Sequence, residues 1–188
     1  NIYYIGKLRI EKMSRKEKDS LGEIEVPDNV LYGAFTTRAS KNFNISGIKA
    51  KPDFIKSLAI IKKACSKANI KLNMLDEIIG DVIIQAADEI IEGKYRDQFI
   101  LDVFQAGAGT PFNMNMNEVI ANVAIMKLGG NPGEYSKVHP NNHVNMSQSS
   151  NDVIPTTIRL SVLFSLVSLK KELEELITAF HSKEKEYD

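Results

Sequence analysis

Two segments of the sequence place small, hydroxyl and amide side chains directly ahead of helical patterns. The first is GAGTPFNMNMNEVIAN, residues 107–122, and the second is HVNMSQSSNDVIPT, residues 143–156. The unpaired N–H groups and the dipole at a helix N-terminus both favour a bound anion. Neither segment contains lysine or arginine. Both segments are therefore candidate sites that would hold a small anion by hydrogen-bond donors rather than by a cationic side chain.

The second segment also has a purely structural interpretation. Residues 149–152, Ser-Ser-Asn-Asp, come immediately before a long helical pattern. Side chains of these types are preferred N-caps, because their oxygens accept hydrogen bonds from the first backbone N–H groups of a helix. Helix capping and ligand binding are both open for Ser149, Ser150 and Asn151.

A nucleotide site is a weaker interpretation of the first segment. Gly107, Gly109 and Thr110 resemble part of a phosphate-binding loop. However, Phe112 stands where a dinucleotide fingerprint requires its third glycine, and no Lys-Ser/Thr pair follows. We therefore predict no nucleotide cofactor.

The metal-ligating side chains form no convincing site. His139 and His143 are four residues apart, as helical zinc ligands are, but Pro140 and two asparagines lie between them. This composition favours a loop. Cys65 lies on the apolar stripe of a predicted helix, where a small core residue is expected. The sequence predicts neither a metal nor any other cofactor.

The composition restricts the class of protein. The chain has 188 residues, of which 43% are hydrophobic and 26% charged, as in soluble globular proteins. Its 24 basic and 24 acidic residues balance, so no overall field attracts nucleic acid or an anionic membrane. The single cysteine excludes an internal disulfide, and no long uninterrupted apolar run suggests a membrane span. We expect a cytoplasmic protein without nucleic-acid or membrane partners.

The candidate sites must be positioned by helices. Residues 25–47 lack sustained periodicity and are expected in loops and short helices. Helical spacing begins at Pro52, a second helix ends at Gly93, and a third ends at Gly129 and Gly130. The predicted apolar stripes are Phe54, Leu58, Ile61, Cys65 and Ala68; then Leu75, Ile78, Ile79, Val82, Ile83, Ala86 and Ile90; then Met116, Val119, Ile120 and Val123.

The last predicted helix, residues 153–180, is unusually long. It contains no glycine, and its one proline, Pro155, lies in the first turn, where proline is tolerated. An apolar seam repeats at steps of four and three residues, as in helices that pack lengthwise. The seam consists of Val162, Leu166, Leu169, Leu173, Leu176 and Phe180. No other predicted helix is long enough to cover it, which suggests the first helix of a truncated bundle.

Four segments together resemble the N-terminal part of the aspartase/fumarase superfamily. They are DSLGEIEVP, LYGAFTTRASKNFNISG, DQFILDVFQAGAGTPFNMNMNEVIAN and HPNNHVNMSQSSNDVIPT. The resemblance runs from about Arg15 to the C-terminus, with the order and spacing of the segments kept. GAGT and RASKNFNISG are similar to the aspartase branch, whereas the serine at position 150 is a fumarase-like detail. The aspartase branch is therefore the leading interpretation and class II fumarase is the alternative.

The resemblance implies a reaction and a set of binding residues. Enzymes of this kind form fumarate by anti elimination through an aci-carboxylate: aspartases reversibly deaminate L-aspartate, and fumarases dehydrate malate. Similarity places Thr110, Ser149 and Ser150 around the substrate carboxylate, with Asn151 and Thr110 near the leaving group. A second dicarboxylate-binding loop would involve His139, Asn141 and Asn142. A non-catalytic descendant that only binds an anion is a further alternative.

The resemblance also implies an architecture. The expected fold is mostly α, with a small helical N-terminal domain over residues 13–150 and the start of a central helical bundle over residues 151–188. Residues 1–12 would be an extension. The family's catalytic base, a serine on a downstream loop, has no counterpart in the chain, so no catalytic residue is assigned and the chain alone should be inactive. The full-length protein is expected to be a homotetramer.

Overall fold

The computed structural model describes residues 14–187, and the predicted extension at residues 1–12 lies outside this range. The chain is mostly α, as predicted. Its elements are the strands β1 (Ser14–Asp19) and β2 (Gly22–Pro27) and the helices α1 (Ala34–Asn42), α2 (Pro52–Lys71), α3 (Glu77–Ile91), α4 (Thr110–Lys127) and α5 (Ser150–Tyr187). A 3-10 turn at Arg96–Gln98 and a π turn at Pro140–Val144 complete it.

The strands β1 and β2 form an antiparallel hairpin that the sequence did not predict. Ser14 pairs with Pro27 and Asp19 pairs with Gly22. At the turn, Gly22 has a φ of +110°, and the Leu21 N–H donates to Asp19 Oδ1 at 2.8 Å. β1 consists almost entirely of charged residues and carries no strand signal, whereas residues 23–26 of β2, Glu-Ile-Glu-Val, do alternate between polar and apolar, a short signal that favours a strand.

The hydrophobic core lies between α2, α3 and α4. Its buried residues include Leu58 of α2, Ile83 of α3, and Met116 and Ile120 of α4. Helix α4 passes through the middle of the molecule, and every residue from 115 to 125 is buried. The three helices predicted for this region, and their ends at Gly93, Gly129 and Gly130, are confirmed.

The apolar stripe predicted on α2 is partly wrong. Ala68 is exposed and Cys65 is only half-buried, so Cys65 is not the core residue that was expected. The predicted stripe contains apolar residues only, whereas polar side chains occupy part of the buried face of α2. The buried residues of α2 are Ile55, Ser57, Leu58, Ala59, Lys62, Ser66 and Asn69. On α3, Ile78 is likewise exposed, at 67%.

Helix α5 is longer at both ends than predicted. Its first turns pack against the domain, with Val153, Ile154 and Thr157 buried. Beyond them the predicted apolar seam is exposed, from Val162 at 51% to Phe180 at 67%. The seam therefore has no partner within residues 14–187, as the sequence predicted.

Length and composition alone would also allow α5 to cross a membrane. Its most apolar 18-residue window has a mean hydropathy of 1.5, and 17% of that window is buried. Core helices of soluble proteins meet the same criterion. The absence of a membrane partner therefore stays a prediction.

Candidate functional site

The two polar helix starts lie against each other. Gly109 precedes α4 with a φ of +80°, a left-handed conformation that glycine adopts readily. A Cβ on Gly109 would lie 3.0 Å from Cγ2 of Ile154, in the first turns of α5. The loop that begins α4 therefore packs directly on the beginning of α5, and the small residue at position 109 permits this contact.

Capping at the α5 start is performed by Ser149. Its Oγ accepts from the Asn151 N–H at 3.2 Å, and its carbonyl oxygen accepts from Asp152 N and Val153 N at 3.1 and 3.0 Å. Asn151 belongs to the first turn of α5. Its side chain is exposed and forms no hydrogen bond within residues 14–187. The capping interpretation thus applies to Ser149, and the Asn151 amide is available to a ligand.

A cluster of amide side chains around Lys62 lies beneath the α5 start. Lys62 is fully buried, and its Nζ donates to Asn113 Oδ1 at 2.6 Å, to Asn145 Oδ1 at 3.0 Å and to Gln148 Oε1 at 2.8 Å. Asn113 Nδ2 in turn donates to Asn145 Oδ1 at 3.0 Å and to Ser150 Oγ at 3.2 Å. Lys62 therefore connects α2 and α4 with the segment that leads into α5.

The electrostatics of Lys62 are unusual for a buried lysine. Burial lowers the pKa of its ammonium to about 7. In the described part of the chain, its hydrogen-bond acceptors are neutral amide oxygens, which favour the charged form without cancelling the charge. An ammonium without a carboxylate partner contributes a positive potential to the region where the two helices begin.

The sequence analysis missed Lys62. Lysine is a polar residue type, so its position between apolar residues of α2 does not by itself predict that its side chain is buried. A usable signal was present: Leu58, Lys62, Ser66 and Asn69 follow one another at helical spacing on one face. A buried lysine requires hydrogen-bond partners, so a lysine on the face of a helix that packs against the core indicates a buried polar cluster.

The His139 loop is a compact turn. His139 Nδ1 accepts from Asn141 N at 3.1 Å and Asn142 N at 3.2 Å, while the His139 N–H donates to His143 Nδ1 at 2.9 Å. Burial, and then the neighbouring His143, lower the pKa of His139, which favours the neutral ring. Residues 14–187 contain no group of three or more His, Cys, Asp or Glu side chains that could hold a metal ion. The two histidines lie in a turn, and the absence of a metal there stays a prediction.

A cavity of about 540 Å³ lies between the hairpin, α1, the start of α4 and the His139 loop. Thr110, His139 and Asn141 line it. Residues 149–151 do not line it; Ser150 is instead contacted by Asn113, which lies one turn beyond Thr110 on α4. The structure therefore divides the predicted site residues between two places: Thr110, His139 and Asn141 line the cavity, whereas Ser150 is contacted by Asn113 of α4.

Two carboxylates hold the start of α1 against this cavity. Glu118, buried in the middle of α4, accepts from Gly33 N at 2.9 Å, Phe35 N at 2.9 Å and Thr36 N at 3.1 Å. Glu17 of β1 accepts from Ala34 N at 2.8 Å. These contacts satisfy the first N–H groups of α1, and burial raises the pKa of Glu118.

The sequence matches the Lyase family over residues 22–188. It is 51% identical over 178 residues to an aspartate ammonia-lyase from Bacillus subtilis (strain 168), a match that covers 95% of the chain. It is 48% identical over 172 residues, 91% of the chain, to a class II fumarate hydratase from Wigglesworthia glossinidia brevipalpis. The structure superposes with a TM-score of 0.91 on a fumarate lyase:delta crystallin from Brucella melitensis bound to cobalt, at 47% identity over 93% of the chain.

These relatives are longer than the chain. The match covers 38% of the Bacillus protein, 37% of the Wigglesworthia protein and 38% of the Brucella protein. Most of each relative therefore lies outside the compared region, while the similarity covers nearly all of this chain. On the match to residues 22–188 and on these identities, the chain belongs to the Lyase family, whose relatives here include aspartate ammonia-lyases and class II fumarate hydratases.

Proposed function

We propose that the full-length protein is a lyase that converts L-aspartate reversibly into fumarate and ammonia. The observation that carries this proposal is the pair of polar helix starts, α4 at Thr110 and α5 at Ser150, packed together above a buried lysine that has no carboxylate partner among residues 14–187. Such an arrangement suits a small dicarboxylate held by neutral donors and a positive potential. The 51% identity to an aspartate ammonia-lyase supports the same choice.

The residue types suit the proposed chemistry. Removing a proton beside a carboxylate builds a doubly charged aci-carboxylate, and preorganised donors that bind it more strongly than the substrate lower the barrier. Thr110, Ser149 and Ser150 would donate to this carboxylate. The Asn151 amide oxygen would accept from the ammonium that leaves. The catalytic base would be supplied by another part of the full-length protein.

The His139 loop lies apart from the two helix starts and has a separate proposed role. His139 and Asn141 line the cavity of about 540 Å³, and Asn142 lies in the same turn. We propose that this loop binds a second dicarboxylate. The neutral ring favoured for His139 would act there as a hydrogen-bond donor through Nε2, because Nδ1 already accepts from the backbone.

The exposed seam of α5 supports an assembly. Val162, Leu166 and Leu173 are each about half exposed on one long helix. We propose that this seam is covered by other copies of the protein in a homotetramer in the cytoplasm, and that the site is completed by residues from those copies. Burial of such an apolar stripe is the main driving force for association of helices in water.

The alternative substrate is malate. It is favoured by the 48% identity to a class II fumarate hydratase and by the serine at position 150. A hydroxyl leaving group would not present an ammonium to Asn151. A protein that binds a dicarboxylate without turning it over is the other alternative.

The proposal is tested by assaying the purified full-length protein for fumarate formation. Aspartate should yield fumarate and ammonia, and malate should be a poor substrate. Efficient dehydration of malate without aspartate turnover would show that the protein is a fumarate hydratase and not an aspartate ammonia-lyase. Binding of fumarate without turnover of either compound would support the non-catalytic alternative.

A further inference from the structure

The amide of Asn113 has a fixed direction in the structure. Its Oδ1 faces the Lys62 ammonium at 2.6 Å, and its Nδ2 faces Ser150 Oγ at 3.2 Å. An ammonium is only a donor, so it can be contacted by the oxygen end of an amide and not by the NH2 end. As long as Lys62 is protonated, its ammonium therefore determines which end of the Asn113 side chain reaches α5.

This direction decides what the Ser150 hydroxyl can do. A serine hydroxyl has one O–H to donate and two lone pairs with which to accept. Because the Asn113 NH2 group donates to Ser150 Oγ, that contact uses a lone pair and leaves the O–H free. A free O–H is the group that a bound carboxylate requires.

We infer that Lys62 is a positioning residue that acts through Asn113 and holds the Ser150 hydroxyl as a donor to the substrate carboxylate. This inference rests on the proposed function, and it adds a residue that would touch no substrate. Lys62 is completely buried and its hydrogen bonds are made to Asn113, Asn145 and Gln148, so apart from its positive potential it acts on a ligand through these amides.

A merely structural role for Lys62 is the competing explanation. Lys62 holds Asn145 and Gln148, so its loss could simply loosen the segment before α5. Lys62→Met would not separate the two explanations, because it can prevent folding. The informative substitution is Asn113→Asp, which keeps an acceptor for Lys62 as an ion pair but offers an acceptor, not a donor, to Ser150.

With Asn113→Asp, the Ser150 O–H should turn toward the new carboxylate and be lost to the substrate. We expect kcat/KM for aspartate to fall about 10- to 100-fold, the range for losing a hydrogen bond to a charged group. The melting temperature should also fall, because the new carboxylate oxygen faces Asn145 Oδ1, which now accepts from Asn113 Nδ2 at 3.0 Å; the kinetic effect is therefore compared between backgrounds that share this loss.

A double-mutant cycle separates reorientation of the hydroxyl from simple repulsion between the new carboxylate and the substrate. Asn113→Asp is measured in the full-length protein with Ser150 present and again with Ser150→Ala. If the effect passes through the hydroxyl, Asn113→Asp should change kcat/KM by about twofold or less once the hydroxyl is gone. Repulsion would cost the same factor in both backgrounds.

Two control variants complete the design. Lys63→Met removes the neighbouring lysine of α2, which pairs with Asp88 on the surface, and should leave kcat/KM unchanged. Ser150→Thr keeps the hydroxyl and should preserve the sensitivity to Asn113→Asp. Equal factors in both backgrounds of the cycle, or full activity of Asn113→Asp, would overturn the inference. If the unsubstituted protein neither turns over nor binds aspartate, malate or fumarate, the proposed function fails and the inference fails with it.

Discussion

Neighbouring residues at the start of α5 have different tasks. Ser149 caps the helix, and the Ser150 hydroxyl oxygen accepts a hydrogen bond from the Asn113 amide. The Asn151 side chain is exposed and forms no hydrogen bond in the described part of the chain. A polar side chain that neither caps nor packs is free to bind a ligand. The binding of substrate can therefore be tested at Asn151 without removing the cap of the helix at Ser149.

Asn151→Ala should lower turnover without lowering stability. In the full-length protein we expect a loss of about 2–4 kcal/mol of transition-state stabilisation, the scale of removing one preorganised polar contact. Ser149→Ala should reduce the free energy of unfolding by about 1 kcal/mol, because the helix loses its cap, and it should also lower turnover, because the proposed donor to the carboxylate is removed. Turnover and thermal unfolding are measured on the same samples. Normal turnover by Asn151→Ala would remove Asn151 from the site.

The stability of the protein should depend on the ionisation of Lys62. The pKa of Lys62 is about 7 in the folded protein and 10.5 in the unfolded chain. Between these values the unfolded state binds the extra proton, so the contribution of Lys62 to the free energy of unfolding should increase as pH rises from about 7 toward 10. Chemical denaturation across this range should show the rise, and its absence would mean that the ammonium persists in the fold. Lys62→Met, if folded, should lack the rise.

The sequence could predict one part of the site and not the other. Thr110, Ser149 and Asn151 stand at helix starts, where the signal is local and can be read from a few adjacent residues. The partners of Lys62 are 51, 83 and 86 positions away along the chain. Such a cluster exists only after α2, α4 and α5 have packed, so no short stretch of sequence contains it.

At the level of elements, helices whose apolar stripes cover one face were predictable, and the hairpin was not. Periodicity located α2, α3 and α4, while β1 carries mainly charged residues and the alternation in β2 covers only four residues. Helix α1 is held from outside: its first N–H groups are satisfied by Glu118 of α4 and Glu17 of β1. The hairpin, α1 and α4 thus form one unit at the edge of the cavity.

Glu118→Gln should destabilise α1. The substitution removes a negative charge from the helix N-terminus and replaces one acceptor oxygen by a donor that would face the N–H groups. We expect a loss of about 1–3 kcal/mol in the free energy of unfolding, with faster hydrogen exchange in α1. Glu23→Gln, on an exposed strand position that pairs weakly with Lys16, is the control and should have almost no effect. Equal stability of the two variants would contradict the assigned role of Glu118.

On the scale of the whole molecule, the chain consists of a packed domain and a projecting helix. The core of α2, α3 and α4 is buried, but from Val162 onward α5 is largely exposed. An apolar stripe of this length is not stable in water without a partner. The same exposed seam connects the fold to the proposed assembly.

The isolated chain should therefore self-associate, or its α5 should fray. Sedimentation and hydrogen exchange are suitable measurements. Replacing Leu166 and Leu173 by glutamate should favour the monomer, because it places charge on the seam without touching the buried turns of α5. A monomeric unsubstituted chain with strongly protected amides throughout α5 would contradict the assignment of the seam to a helical bundle.

The most direct test of the account is a crystal structure of the full-length protein with aspartate or fumarate bound. One ligand carboxylate should lie at the junction of α4 and α5, within hydrogen-bond distance of the hydroxyls of Thr110 and Ser150 and of the capping segment at Ser149. With aspartate, the ligand ammonium should lie next to the Asn151 amide oxygen. The opposite result would be a dicarboxylate bound elsewhere, with no ligand atom in contact with the starts of α4 and α5. It would show that these two helix starts do not bind the substrate.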